Sequence, residues 1–208
     1  MLLKQFTSYD KHVDMWFIDC AKALKGRVLI EIKNARNRQF FDYWQSLERK
    51  GGSVMPLKSS FVPEEVGHLL SHMIVYELIS KDNIKIRLQG TAINERFGQD
   101  ITGGNYLDYV EPERRDVASN AFWLMAEQPC GIIATLEHAL SSGRKITVES
   151  IGFPFENDRG ENPIIMYQSN EIEAYNPIMY KNDGQLKLIF VVERHIIDIG
   201  KGAPSFVD

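Results

Sequence analysis

Residues 73–104 read MIVYELISKDNIKIRLQGTAINERFGQDITGG, and three signals succeed one another in this stretch. Met73 to Ile79 is rich in strand formers, and Lys81, Asp82 and Asn83 supply a turn. Ile84, Ile86 and Leu88 then alternate with Lys85, Arg87 and Gln89, the period of a strand with one buried face. The pattern predicts a hairpin with Ile84, Ile86 and Leu88 facing the core. Gly90 and Thr91 end it. Thr91 is placed to cap a short helix carrying Ile93, Asn94 and Phe97, and Gly98 to close it. Two glycines at 103 and 104 mark a loop.

Downstream, Val117, Ala118, Ala121, Leu124 and Met125 share one stripe of a longer helix from Pro112 to about Gln128. Three strands are then expected. They are Ile132 to Leu140, Lys145 to Phe155 with a break at Pro154, and Ile164 to Ser169. The run Leu186 to Val192 reads as an added strand or helix. Upstream, Phe40, Phe41, Tyr43, Trp44 and Leu47 form the apolar stripe of a helix over Asn37 to Lys50, stopped by Gly51 and Gly52. Pro63, Glu64 and Glu65 begin a second short helix. Earlier still, Val13, Trp16, Phe17, Cys20, Ala21 and Leu24 recur at helical spacing, while Val28 to Ile32 reads equally as a strand.

Composition narrows the class. A chain of 208 residues, 44% hydrophobic and 25% charged, suits one domain with extensions and argues against disorder. A net charge of −4 gives no bulk attraction for nucleic acid phosphates. Cys20 and Cys130 are too far apart in sequence to suggest a disulfide framework or a metal hook, and suit a reducing cytosol. Lys4, Asp10, Lys11 and Asp14 precede any long apolar run, which argues against a signal peptide. The apolar runs are too short to span a bilayer. The expected location is the cytoplasm, with neither nucleic acid nor membrane as partner.

The order of these elements, and several short motifs within them, resemble the PAS domain family, nearest to stand-alone bacterial PAS proteins. The motifs are Arg87-Leu88-Gln89-Gly90-Thr91 and Phe97-Gly98-Gln99-Asp100-Ile101-Thr102-Gly103. In the second half they are Ser142-Gly143-Arg144, Pro154 and Asp158-Arg159-Gly160. Trp44, Pro56 and Pro63 match the helix-rich segment before the hairpin. The resemblance covers about residues 37–170. It implies an α+β fold, a five-stranded antiparallel sheet with helices on one face. The domain is expected over 35–175, between extensions 1–34 and 176–208. It also implies a ligand pocket between helices and sheet, dimerisation, and signalling to protein partners.

Within that frame Phe97, Tyr106, Met125, Leu136, His138 and Met166 are the candidate pocket walls. His138 shares a strand face with Ile132, Ala134, Leu136 and Leu140. It reads as a ligand contact or as a core histidine with a satisfied hydrogen bond. Phe40, Trp44, Leu47 and Trp123 are the candidate dimer or partner contacts. The aromatic stripe of Phe40 and Trp44 can leave water by folding onto its own sheet or by pairing with a second copy. The expectation favours the second route. Trp123 lies nearly opposite the apolar stripe of its helix, so it marks a contact surface or packs under one of the extensions.

Catalytic patterns are missing. The sequence carries neither a nucleophile elbow nor a Walker loop. His68 and His72 have metal-compatible spacing, but Leu69 stands where a His-Glu-x-x-His motif needs Glu. Cys130 lies between Pro129 and Gly131, not in the motif of flavin-adduct cysteines. No cofactor is expected, whether metal, haem or flavin. The reading is a sensory or regulatory binding module without enzyme activity, acting through a small ligand or a protein partner. The alternatives are a docking protein whose pocket its own side chains fill, and a small-molecule enzyme on a related fold.

Overall fold

A computed structural model describes residues 31–172 and 184–207, all but one within the unit Ile32–Asp208. The amphipathic pattern from Val13 to Leu24 lies outside the described residues. Three helices are described, α1 (Ala35–Ser46), α2 (Thr91–Phe97) and α3 (Arg115–Glu127). Six strands form one sheet: β1 (Met73–Ser80), β2 (Asn83–Gln89), β3 (Gly131–Leu140), β4 (Lys145–Phe155), β5 (Ile164–Glu171) and β6 (Leu186–Ile197). Their order is β2-β1-β5-β4-β3-β6, and every pairing is antiparallel. The five expected strands are present, and Leu186 onward resolves as a sixth, laid along β3.

The α2 and α3 helices cover one face, here the inner face. Tyr76, Leu78, Ile84 and Ile86 of the hairpin join Ile93, Phe97, Phe122, Met125 and Tyr167 in a common core there. Leu88 departs from the expected alternation and is 48% exposed. The cause is a shift in register, because Val75 pairs with Leu88 but Tyr76 pairs with Ile86. One extra residue on β2 at that point turns every later side chain over. Leu88 therefore faces outward and Gln89 is buried in its place. Leu88→Ala should accordingly change stability by less than ~0.5 kcal/mol. Ile86→Ala should cost about 2–5 kcal/mol. Urea melts of the two variants check this, and equal losses would contradict the register.

Two smaller expectations also change. Thr91 is the first helical residue of α2, not its cap; Gly90 holds the cap position, while Gly98 closes the helix with φ 63° as expected. Pro154 does not break β4. It pairs with Ile165, beyond the last β3 pairing of β4 at Gly152, where a missing N–H costs no ladder bond on that side.

The α1 helix lies on the opposite face of the sheet. Its stripe packs on its own chain: Trp44 stacks on Phe153 of β4 at 4.6 Å, Phe41 lies 5.4 Å from the same ring and Phe40 5.9 Å. Trp44 Nε1 donates to the Pro154 carbonyl at 3.3 Å. Phe40 and Trp44 are 0% and 2% exposed, and Leu47 is buried. The expected pairing of this stripe with a second copy is therefore corrected. Phe40 and Trp44, with the indole N–H, already have partners within the chain.

A carboxylate anchors the helix. Glu149 of β4 is buried and accepts from the backbone N–H groups of Lys33 and Asn34 at 2.8 and 2.9 Å. It also accepts from Asn37 Nδ2 at 2.8 Å, and that amide donates as well to the Glu149 carbonyl at 2.9 Å. Asn170 Nδ2 donates to Asn37 Oδ1 at 2.7 Å. Asn34 caps α1 by accepting from the Arg36 N–H. A negative group at the positive end of the helix adds to these bonds.

A cavity between the sheet and the helices

The inner face and the helices over it enclose a cavity of about 50 Å³. That is room for about three or four waters, and about a third of the ~150 Å³ that admits benzene. Phe97 of α2, Tyr106, and Leu136 and His138 of β3 line it. Tyr106 is placed by a short 3-10 turn, Tyr106–Tyr109, which the Asn105 side chain caps by accepting from the Leu107 N–H.

The other two candidate walls lie elsewhere. Met125 is fully buried on α3 behind the wall, where its sulfur accepts from the Tyr167 hydroxyl at 3.3 Å. Met166 faces away, since Ile165 and Tyr167 take the inner face and Met166 pairs with Phe153 on the α1 side. The period of two, applied to Tyr167, excludes Met166. Trp123 packs against the β1–β2 turn, donating to the Ser80 carbonyl at 3.3 Å, with the Lys81 ammonium 5.2 Å from its ring.

Five lining residues not singled out in the sequence complete the polar inventory: Tyr76, Ser150, Tyr167, Ser169 and Arg194. Tyr76 and Tyr167 are consistent with strand alternation. Arg194 is not, because β6 has its own register shift, with Leu136 opposite Val191 but Thr135 opposite Glu193. The extra residue, Val192, turns outward and is exposed, and Arg194 turns inward. Gly152 makes room for the Tyr167 ring, whose atoms lie as close as 2.3 Å to where a Cβ would stand. Any side chain there would push Tyr167 toward the cavity.

The titratable groups around this space are held in defined states. Tyr106 is pushed up to about 12 by burial, and burial raises Tyr76 well above its ordinary value. Both remain neutral phenols. Arg96 of α2 is buried and brought down to about 10 by desolvation, so it stays a cation at neutral pH. One of its nitrogens donates to the Ser169 carbonyl at 3.1 Å, and Nε and Nη1 have no hydrogen-bonding partner.

His138 is 2% exposed and its ring meets Phe97 edge-on at 5.0 Å. Its Nδ1 has no hydrogen-bonding partner among the described protein atoms. Burial first, then the charge of Arg96, hold its pKa well below the usual imidazole range. The unfolded chain therefore binds a proton below about pH 6.5 that the folded chain refuses. Stability should fall with pH in that window, by at most about 1.4 kcal/mol per pH unit from this group. His72, also depressed by burial, adds a contribution of its own. His138→Leu should flatten the decline measured by urea melts between about pH 5 and 7.5, and an unchanged slope would contradict the assignment.

Among the described residues no group of three or more His, Cys, Asp or Glu is placed to hold a metal. His68 Nε2 instead shares a hydrogen bond with Gln39 Oε1 at 3.0 Å. Cys130 is buried ahead of β3 and its thiol is pushed up to about 12 by burial, the state of an unreactive thiol.

A family model described as PAS domain matches residues 32–167, and the chain belongs to the PAS domain family. No curated protein sequence matches it. Among solved structures it is similar to a cysteine-to-serine mutant of Vivid, at 14% identity and a TM-score of 0.41, over 70% of this chain and 100% of that one. It is similar to the PAS domain of an HTR-like protein from Haloarcula marismortui, at 12% identity and a TM-score of 0.36, over 52% and 89%. It is similar also to the PAS domain of BvgS from Bordetella pertussis, at 16% identity and a TM-score of 0.36, over 56% and 90%. Family membership rests on the family model and not on these likenesses. Among the described residues no helix is long and apolar enough to cross a membrane.

Proposed function

We propose that this PAS domain is a sensory or regulatory module of bacterial signalling that responds to a small ligand and passes the response to a protein partner. The observation that carries the reading is the unsatisfied polarity inside an apolar shell. A buried polar atom without a partner costs about 1–3 kcal/mol, and His138, whose side chain lines the cavity, carries one at Nδ1. A ligand that reached it would remove that cost. Cavities with few polar groups in an apolar lining are the usual form of small-molecule sites. The module has no catalytic role in this reading, and acts in the cytoplasm as a homodimer. Because α1 is occupied by its own sheet, pairing would use another surface.

The small volume of about 50 Å³ favours a second reading, a docking protein whose own side chains fill the pocket. Native mass spectrometry of freshly purified protein separates the two. The sensory reading expects a mass above that of the bare chain, lost in Ala134→Leu, where added methyl groups occupy the cavity. A bare-chain mass in every preparation would favour the docking protein.

A further inference from the structure

The two edges of the sheet are finished differently. On β2 the loop 103–105 closes the edge. The Ile86 N–H donates to the Gly104 carbonyl at 2.9 Å, the Gly103 N–H to the Ile86 carbonyl at 2.7 Å, and the Ile84 N–H to Asn105 Oδ1 at 3.0 Å. The other edge is β6, 12 residues long. Gln99 Nε2 reaches the carbonyl of its first residue, Leu186, at 3.2 Å. Among the described residues no strand pairs with β6 on the side away from β3. An edge of that length is a template for a further strand unless it is covered or blunted.

The facing of its side chains is the same in both directions from Phe190. The register against β3 shifts at Val192, as described above, and also at Lys187, where Leu140 pairs with Leu186 but Ala139 with Leu188. Each shift lets two successive residues turn away from the core. Ile189 and Val191 line the cavity, as does Arg194, and Leu186 joins the core beneath the helices. Leu188, Phe190 and Glu193 pair with Ala139, Glu137 and Thr135, which alternate with the cavity-lining His138, Leu136 and Ala134 and so take the opposite face. Lys187 and Val192, the extra residues, are exposed. Positions 189 and 191 thus face in, 188 and 192 out, 187 and 193 out, 186 and 194 in.

Directly opposed residues of an antiparallel pair share a face. A two-fold axis through Phe190 therefore sets like faces together. It also sets Lys187 against Glu193 and Leu188 against Val192, on both sides of the axis. Bulges and charges can blunt an edge. Blunting does not require them at equal distances from one residue, with a valine 64% exposed among them. Glu193 bonds His195 at 2.8 Å and stays 57% exposed. The Lys145 ammonium, 5.5 Å from the Phe190 ring, is paired with Glu137.

Resting on the homodimer proposed above, we propose that two copies of this chain pair β6 to β6, antiparallel about Phe190, and join their sheets into one. Main-chain N–H and C=O groups supply the attraction, and the Lys187–Glu193 pairs fix the register. The strand at this interface is the one that carries Ile189, Val191 and Arg194 into the cavity wall, so a change inside the cavity reaches the partner copy through a single strand.

Sedimentation equilibrium of the full chain tests the pairing. Lys187→Glu alone creates two Glu–Glu contacts and Glu193→Lys alone two Lys–Lys contacts. Each should weaken the dimer about tenfold. The two changes move net charge in opposite directions, so a common loss comes from the pairing. The double exchange restores both pairs with reversed sign and should return the affinity to within about twofold of wild type. Val192→Lys, opposite Leu188, should weaken the dimer at least as much as either single exchange. All three positions are exposed, and melts close to wild type check that the variants fold. A dimer that none of these changes alters would overturn the β6 interface and leave the homodimer to another surface. Loss in both single exchanges without recovery in the double would overturn the pairing about Phe190. A wild type that is monomeric at every concentration would overturn both the interface and the homodimer.

Discussion

Trp44→Glu is expected to unfold the protein, not to split a dimer. The indole is 2% exposed, stacked on Phe153 at 4.6 Å and capped on another side by the Arg49 guanidinium at 4.6 Å from its ring. Truncating a buried tryptophan costs about 3–5 kcal/mol. Placing an unpaired carboxylate among Phe40, Phe41 and Phe153 adds a desolvation penalty of several kcal/mol more. Together these rival the whole stability of an ordinary domain, about 5–15 kcal/mol. Circular dichroism melts should show loss of the cooperative transition or a collapse of its midpoint. A variant that melts like the wild type and sediments as a smaller species would place α1 between two copies after all.

The second large effect is expected at Glu149. In Glu149→Ala the N–H groups of Lys33 and Asn34 and the amide of Asn37 lose the acceptor they share. Each of these donors that stays buried without an acceptor costs about 1–3 kcal/mol. Glu149→Gln should lose less, because one oxygen still accepts while an NH₂ group turns toward donors it cannot satisfy. Urea melts give the losses, and amide exchange locates them. Protection should fall across Ala35–Ser46 more than across β1 and β2. An even loss over the whole domain would mean that Glu149 supports the sheet and not the docking of α1.

Both effects concern parts of the fold that the sequence shows without saying what they touch. The stripe of Phe40, Trp44 and Leu47 is plain from helical spacing, but periodicity names a buried face and not its partner. Phe153, the ring it meets, sits in a strand where inner and outer faces are both apolar, so no alternation marks it. The hairpin and α2 are legible because each residue's local preference agrees with the final fold. Leu88 misleads for a local reason, since a bulge is one extra residue and leaves no trace in composition. Arg194 is hidden twice, first because Leu186 to Val192 suits a helix or a strand, and then because a second bulge at Val192 reverses the facing of the residues beyond it. The cavity floor is the hardest to see in advance. Ala134, Ser150, Ser169 and Arg194 come from four segments, and only the strand registers bring them into one row.

In a sensory module, occupancy of the inner cavity would change how the domain is populated. Hydrogen exchange of the wild type, measured as purified and again after unfolding, dialysis and refolding to remove any retained molecule, tests it most directly. Protection should be lower in the stripped protein at β6, Leu186–Ile197, and at Thr91–Phe97, both of which contribute cavity walls, and should change less at β2, which contributes none. Identical exchange in the two preparations, with a molecule shown to have left, would contradict it.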